Sequence, residues 1–208
     1  MVMKKFFLLL FILSILTYAW LSIQKLYFLS ALMPHFTIFS LAMYFIYEKN
    51  LRFTLNKIGI PGNIKNSLKY AIIAFLATIA ILILVNFIFS SQSAQTDAQR
   101  VSVLINKLPL YLLIFAIVFA PISEELFFRA LLISVISKRF GSMIGIVAPA
   151  ILFGLVHFTY GSKLEILVTF LIGLLFGYIY KKSNSILPTI IAHAIYNALA
   201  IGLIKSIA

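Results

Sequence analysis

Apolar residues run in long blocks along this chain, with short polar segments between them. The blocks are continuous and do not alternate every second residue, so they read as helices and not as barrel strands. A block of about 20 residues crosses the ~30 Å hydrocarbon core of a bilayer. About seven spans are predicted, at residues 6–23, 26–47, 67–89, 107–137, 141–157, 164–180 and 186–204. The first follows Lys4 and Lys5; it is long for a signal-peptide core and has no clear small-residue cleavage site, so it reads as retained. The fourth is long for one straight crossing, which implies tilt or a break. Pro109 suits its first turn, and Pro121 is the candidate for the break. Gly173 and Gly177, four apart in the sixth, permit close helix packing.

Two polar segments divide the blocks. Residues 48–69 mix Glu48, Lys49, Arg52, Lys57, Lys65 and Lys69 with apolar side chains, as in a stretch lying on headgroups. Residues 90–107 are rich in Ser and Gln and read as an exposed connector. The expected fold is all-α: a polytopic transmembrane helix bundle. Its N-terminal spans and basic loop occupy 1–104 and a core occupies 105–208, with a polar site between spans four, five and seven.

Composition agrees. Only 11% of the 208 residues are charged and 63% are hydrophobic, against roughly 25% charged in a soluble domain. The net charge of +12 lies at the ends of apolar blocks and not in one patch, so it reads as topology anchoring and no nucleic-acid partner is expected. With the N-terminus inside, eleven Lys and Arg fall on the inner side and five outside, while Arg129 lies within a span. There is no cysteine, which removes thiolate catalysis and disulfides. Abundant Ile, Lys and Asn point to an AT-rich bacterial genome, and hence to the plasma membrane.

Against this background the polar residues inside the spans stand out. Two of the five acidic residues, Glu124 and Glu125, sit with Arg129 in an apolar block. An ionised group at the bilayer centre costs at least about 2.5–3.5 kcal/mol on insertion scales. Glu125 and Arg129 are four apart and share a helix face, an ion-pair spacing. Glu124 points about 100° away and is free to face something else. His157 closes the fifth span; His193 and Asn197 share a face of the seventh. His35 follows Pro34 with no polar partner at helical spacing and reads as structural. There is no phosphate loop, no Gly-x-Ser-x-Gly and no His-Glu-x-x-His. Two chemistries remain. Glu124, helped by His157, could take a proton from water while His193 and Asn197 donate to an oxyanion. Alternatively, His157 and His193 with a glutamate could hold a metal such as zinc.

Glu124-Glu125-x-x-x-Arg129, then Phe153-x-x-x-His157, then His193-x-x-x-Asn197 resembles the motif series of the CPBP family of intramembrane proteases. That family includes the type II CAAX prenyl endopeptidases and bacterial Abi proteins. The resemblance covers residues 105–204. It implies Glu124 as the water-activating carboxylate, His157 as its assistant or a metal ligand, His193 and Asn197 as oxyanion donors, and Glu125 and Arg129 as supporting residues. The implied substrate is a peptide or membrane-anchored protein at the bilayer. The composition leaves two other classes open: an immunity-type peptide-binding protein and an ion-coupled transporter. One expectation conflicts with the rest. His157 lies at the far end of its span and His193 early in its own, so the two would meet only if a span were tilted or displaced.

Overall fold

The computed structural model describes residues 27–47, 55–60, 63–89, 92–160 and 163–207, together with Ile12. Apart from Ile12, the expected first span lies outside them. The described residues form helices and no strand. In chain order these are α1 (Tyr27–Ile46), α2 (Ile64–Ile88), α3 (Gln92–Lys107) and α4 (Leu110–Glu125). A π-helix (Leu126–Ile133) carries α4 on into α5 (Ser134–Val156), and a 3-10 turn (His157–Tyr160) closes α5; α6 (Lys163–Ser183) and α7 (Leu187–Ile207) complete the bundle. Among the described residues, Ile64–Ile88, Leu110–Val156, Lys163–Ser183 and Leu187–Ser206 are long and apolar enough to cross a membrane. The chain is an integral membrane protein.

The stretch Leu110–Val156 is not one rod. Gly141 has φ 84 and ψ 167, a region essentially reserved for glycine. There the chain doubles back: a Cβ on Gly145 would stand 2.9 Å from the Cα of Ser137. In a straight helix those two positions lie about 12 Å apart. Lys138 and Arg139 flank this turn, where the end of one span and the start of the next were expected. The arm from Ser142 to Val156 is only ~22 Å long, short of the hydrocarbon core, so its end at His157 falls short of a full crossing.

The expected break in α4 takes a different form. Pro121 lies inside the helix, and its missing N–H leaves the Ile117 carbonyl without its usual donor. The backbone departs from α geometry only from Leu126, where it widens into the π-helix. All residues of Leu126–Ile133 are buried. A helix buried on every side is the innermost one, and α1, α5 and α6 pack around this segment. Phe127, Phe128, Leu131 and Leu132 join Ala42 and Ile46 of α1 and Phe153 of α5 in one core.

α5 and α6 pack most closely, through their glycines. A Cβ on Gly173 would lie 3.0 Å from the Cα of Ala150, and one on Gly177 would lie 2.9 Å from Ile146 Cγ2. The turn between α6 and α7 is tied to the basic segment by Ile186 N–H donating to the Ile58 carbonyl at 3.0 Å and Ser185 Oγ donating to the Gly59 carbonyl at 2.8 Å.

Residues 92–107 are a helix, not the connector expected from their composition. In the sequence Ala94, Ala98, Val101 and Ile105 recur at helical spacing, an apolar set too sparse to stand out among the polar residues around it. Val101 and Ile105 are half-buried while Val103 is exposed. Lys205 of α7 donates to the Asn106 carbonyl at 3.1 Å and ties the two helices.

Candidate active site

The end of α4 turns three consecutive polar side chains inward. Ser123 and Glu125 are fully buried, and the Glu124 side chain is 12% exposed. Each has its own partners. Arg129 Nε reaches Glu125 Oε2 at 3.1 Å, the expected four-residue pair. The guanidinium lies 4.4 Å from the Phe153 ring centre and 5.5 Å from that of Phe176. Its Nη1 and Nη2 have no hydrogen-bond partner, so the ring faces are what meets that part of the cation.

Glu125 does more than pair with arginine. His193 Nδ1 stands 3.0 Å from Glu125 Oε1. With Arg129 on its other oxygen, Glu125 is the acceptor in this contact, so Nδ1 carries the proton and donates. In the neutral ring, Nε2 then holds a lone pair, and it faces Glu124 Oε2 at 3.7 Å. Glu124 Oε2 is buried and has no hydrogen-bond partner from the protein. That distance is too long for a direct hydrogen bond and places two acceptor atoms side by side. A water beside them would satisfy both, because a buried polar atom normally finds a protein or water partner.

His157 ends α5, and its Nδ1 donates to the Phe153 carbonyl at 2.7 Å, leaving Nε2 as the acceptor. Phe153 bridges the two motif histidines, its ring centre lying 4.6 Å from that of His157 and 6.2 Å from that of His193. The mismatch in depth is therefore absent, and the short arm of α5 is the physical reason. Asn197 Nδ2 donates to the Ala116 carbonyl at 2.9 Å and straps α7 to α4.

His35 is the residue that sequence reasoning left out. It interacts with Ser123 Oγ at 3.0 Å through Nδ1, and the same nitrogen lies 3.7 Å from Glu124 Oε1. Its partners lie nearly 90 residues away in the chain, and periodicity within α1 carries no trace of them. The signal available was a histidine inside an apolar block, weighed beside the other two and not alone.

As they stand, the donors do not fit a metal. Among the described residues, no three His, Asp or Glu side chains are grouped to share one ion.

Residues 106–199 match the family described as type II CAAX prenyl endopeptidase Rce1-like. No curated protein and no solved structure matches the chain. The matched segment carries all three motifs, from Glu124 to Asn197. Over residues 106–199, the chain is therefore similar to the Rce1-like type II CAAX prenyl endopeptidases, a protease family.

Proposed function

We propose that this protein is an intramembrane endopeptidase in which Glu124 activates water to hydrolyse a peptide bond of a membrane-associated peptide or protein. The observation that carries the reading is the buried, unpartnered Glu124 Oε2 beside the bare Nε2 of His193. A water held there gives its proton to Glu124, and its oxygen adds to the scissile carbonyl carbon. Negative charge then builds on the carbonyl oxygen. The second hydrogen of that water stays on the adduct and hydrogen-bonds to the bare Nε2 of His193, whose ring Glu125 holds through Nδ1–H. Asn197 has a second N–H beyond the one on Ala116, and it offers this to the oxyanion. When the C–N bond breaks, the proton on Glu124 passes to the leaving amine, assisted by His157 Nε2.

Arg129 does not meet the substrate; it pairs with one oxygen of Glu125 and so holds the other where it accepts from Nδ1 of His193. Residues 105–208 carry these groups on the bundle laid down with 1–104. In a bacterial plasma membrane with the N-terminus inside, a secreted peptide precursor suits the site, as does a prenylated chain end.

The test uses the protein in lipid nanodiscs with two quenched fluorescent peptides, one ending in a farnesylated CAAX-type sequence and one on an unprenylated transmembrane anchor. Wild type is expected to cleave at least one of them, and Glu124→Ala, His157→Ala and His193→Ala each to abolish cleavage while still inserting. Cleavage of neither peptide by wild type, or full activity in Glu124→Ala, contradicts the reading.

A further inference from the structure

His35 lies outside the segment that matches the family, and the mechanism above does not use it. Its surroundings are nonetheless those of a working residue. Ser123 Oγ donates its hydrogen to the Ala120 carbonyl at 2.9 Å. Towards His35, 3.0 Å away, that oxygen can only accept, so Nδ1 of His35 carries a proton. The same N–H lies 3.7 Å from Glu124 Oε1, while Oε2 faces His193. Each oxygen of Glu124 thus has one imidazole beside it, from α1 on one and from α7 on the other. The His35 ring stands edge-on to Phe115, centre to centre 5.5 Å, and Phe115 packs on Phe36 and Phe119 at 5.9 and 5.0 Å. The ring is therefore braced on its apolar side as well as its polar one.

A carboxylate has two equivalent oxygens and turns freely unless something distinguishes them. A base that must meet one water at one place needs that freedom removed. We propose that His35 is a positioning residue for Glu124. Its Nδ1–H is hydrogen-bonded to Ser123 and stands 3.7 Å from Oε1, too far for a second hydrogen bond, so it attracts that oxygen by its dipole and leaves Oε2 to water and His193. The N-terminal half of the chain then contributes to the site and not only to the membrane anchor. This rests on the reading of Glu124 as the base.

The test compares wild type, His35→Leu, His35→Asn and Glu124→Gln in nanodiscs on the farnesylated CAAX-type and anchored peptides. Leucine keeps the bulk and removes the donor, whereas the asparagine amide places an N–H near the position of Nδ1. His35→Leu is expected to lower kcat about 10- to 100-fold with KM nearly unchanged, the scale of a misplaced catalytic group. His35→Asn is expected to recover most of that loss. Wild-type kcat in His35→Leu, an asparagine variant as slow as the leucine one, or a loss confined to KM overturns the proposal. If Glu124→Gln is inactive while His35→Leu is undiminished, only the positioning role fails; if Glu124→Gln is fully active, the underlying reading fails. Side-chain 15N spectra of the wild-type protein, with His35 assigned through His35→Asn, provide a readout independent of turnover. They should show Nδ1 protonated and Nε2 bare, and the opposite tautomer contradicts the geometry.

Discussion

Glu125 is the residue on which the polar cluster depends. It is ion-paired with Arg129 through one oxygen and accepts from His193 on the other, and it is fully buried. Removing it leaves a buried guanidinium with only ring faces around it. Breaking a buried pair from one side costs about 3–5 kcal/mol. Glu125→Ala is therefore expected to lower the unfolding free energy by about that amount and to abolish hydrolysis, measured by denaturant unfolding in detergent and by the peptide assay. A variant as stable as wild type contradicts the pairing. Much of this scale was legible in the sequence. Helical spacing separates Glu125, paired with Arg129, from Glu124, and the motif series brings in His157 and His193. Two things were not legible. The contact of Glu125 with His193 spans 68 residues, and nothing local marks it. His35 was read as structural because its only visible neighbours were apolar, while Ser123 and Glu124 reach it from another helix.

Among the elements, the hairpin at Gly141 matters most for the site, because it sets how far His157 reaches. Its dihedral angles suit only glycine, and another residue there costs about 1–3 kcal/mol. Gly141→Ala is expected to lower stability within that range, read from thermal unfolding in detergent. An unchanged midpoint contradicts the hairpin geometry. The turn was readable in advance, since Lys138 and Arg139 followed by Gly141 end one apolar block and begin another. The π-helix was not. Pro121 announced an irregularity but not its kind or position, because how a helix accommodates a missing N–H depends on what packs around it. α3 was misread for a simpler reason: its set of alanines and two β-branched residues is too sparse to stand out in a polar segment.

For the whole molecule, the distribution of Lys and Arg implies an inner N-terminus, with the α6–α7 turn inside and the α3 region outside. The chain has no cysteine, so single introduced thiols report topology without background. Ser183→Cys should react with an impermeant maleimide only from the cytoplasmic side, and Gln99→Cys only from the outer side. The reverse pattern inverts the topology and the side from which substrate arrives. All-helical architecture was plain from the uninterrupted apolar blocks. How the helices meet was not, since lipid-facing and protein-facing positions are equally apolar in such a chain and periodicity loses its force.

Hydrolysis in this protein depends on Glu124 as the base that activates water. The most direct measurement is kcat for Glu124→Gln against wild type in nanodiscs, on whichever peptide wild type cleaves, with and without a strong chelator. Glutamine keeps the shape and hydrogen-bonding capacity but cannot take a proton. General-base catalysis is worth about 10²–10⁴ in rate, so Glu124→Gln is expected to fall by at least about 100-fold, with wild type unaffected by the chelator. A Glu124→Gln enzyme that retains the wild-type rate, or a wild-type enzyme silenced by the chelator and restored by zinc, contradicts it.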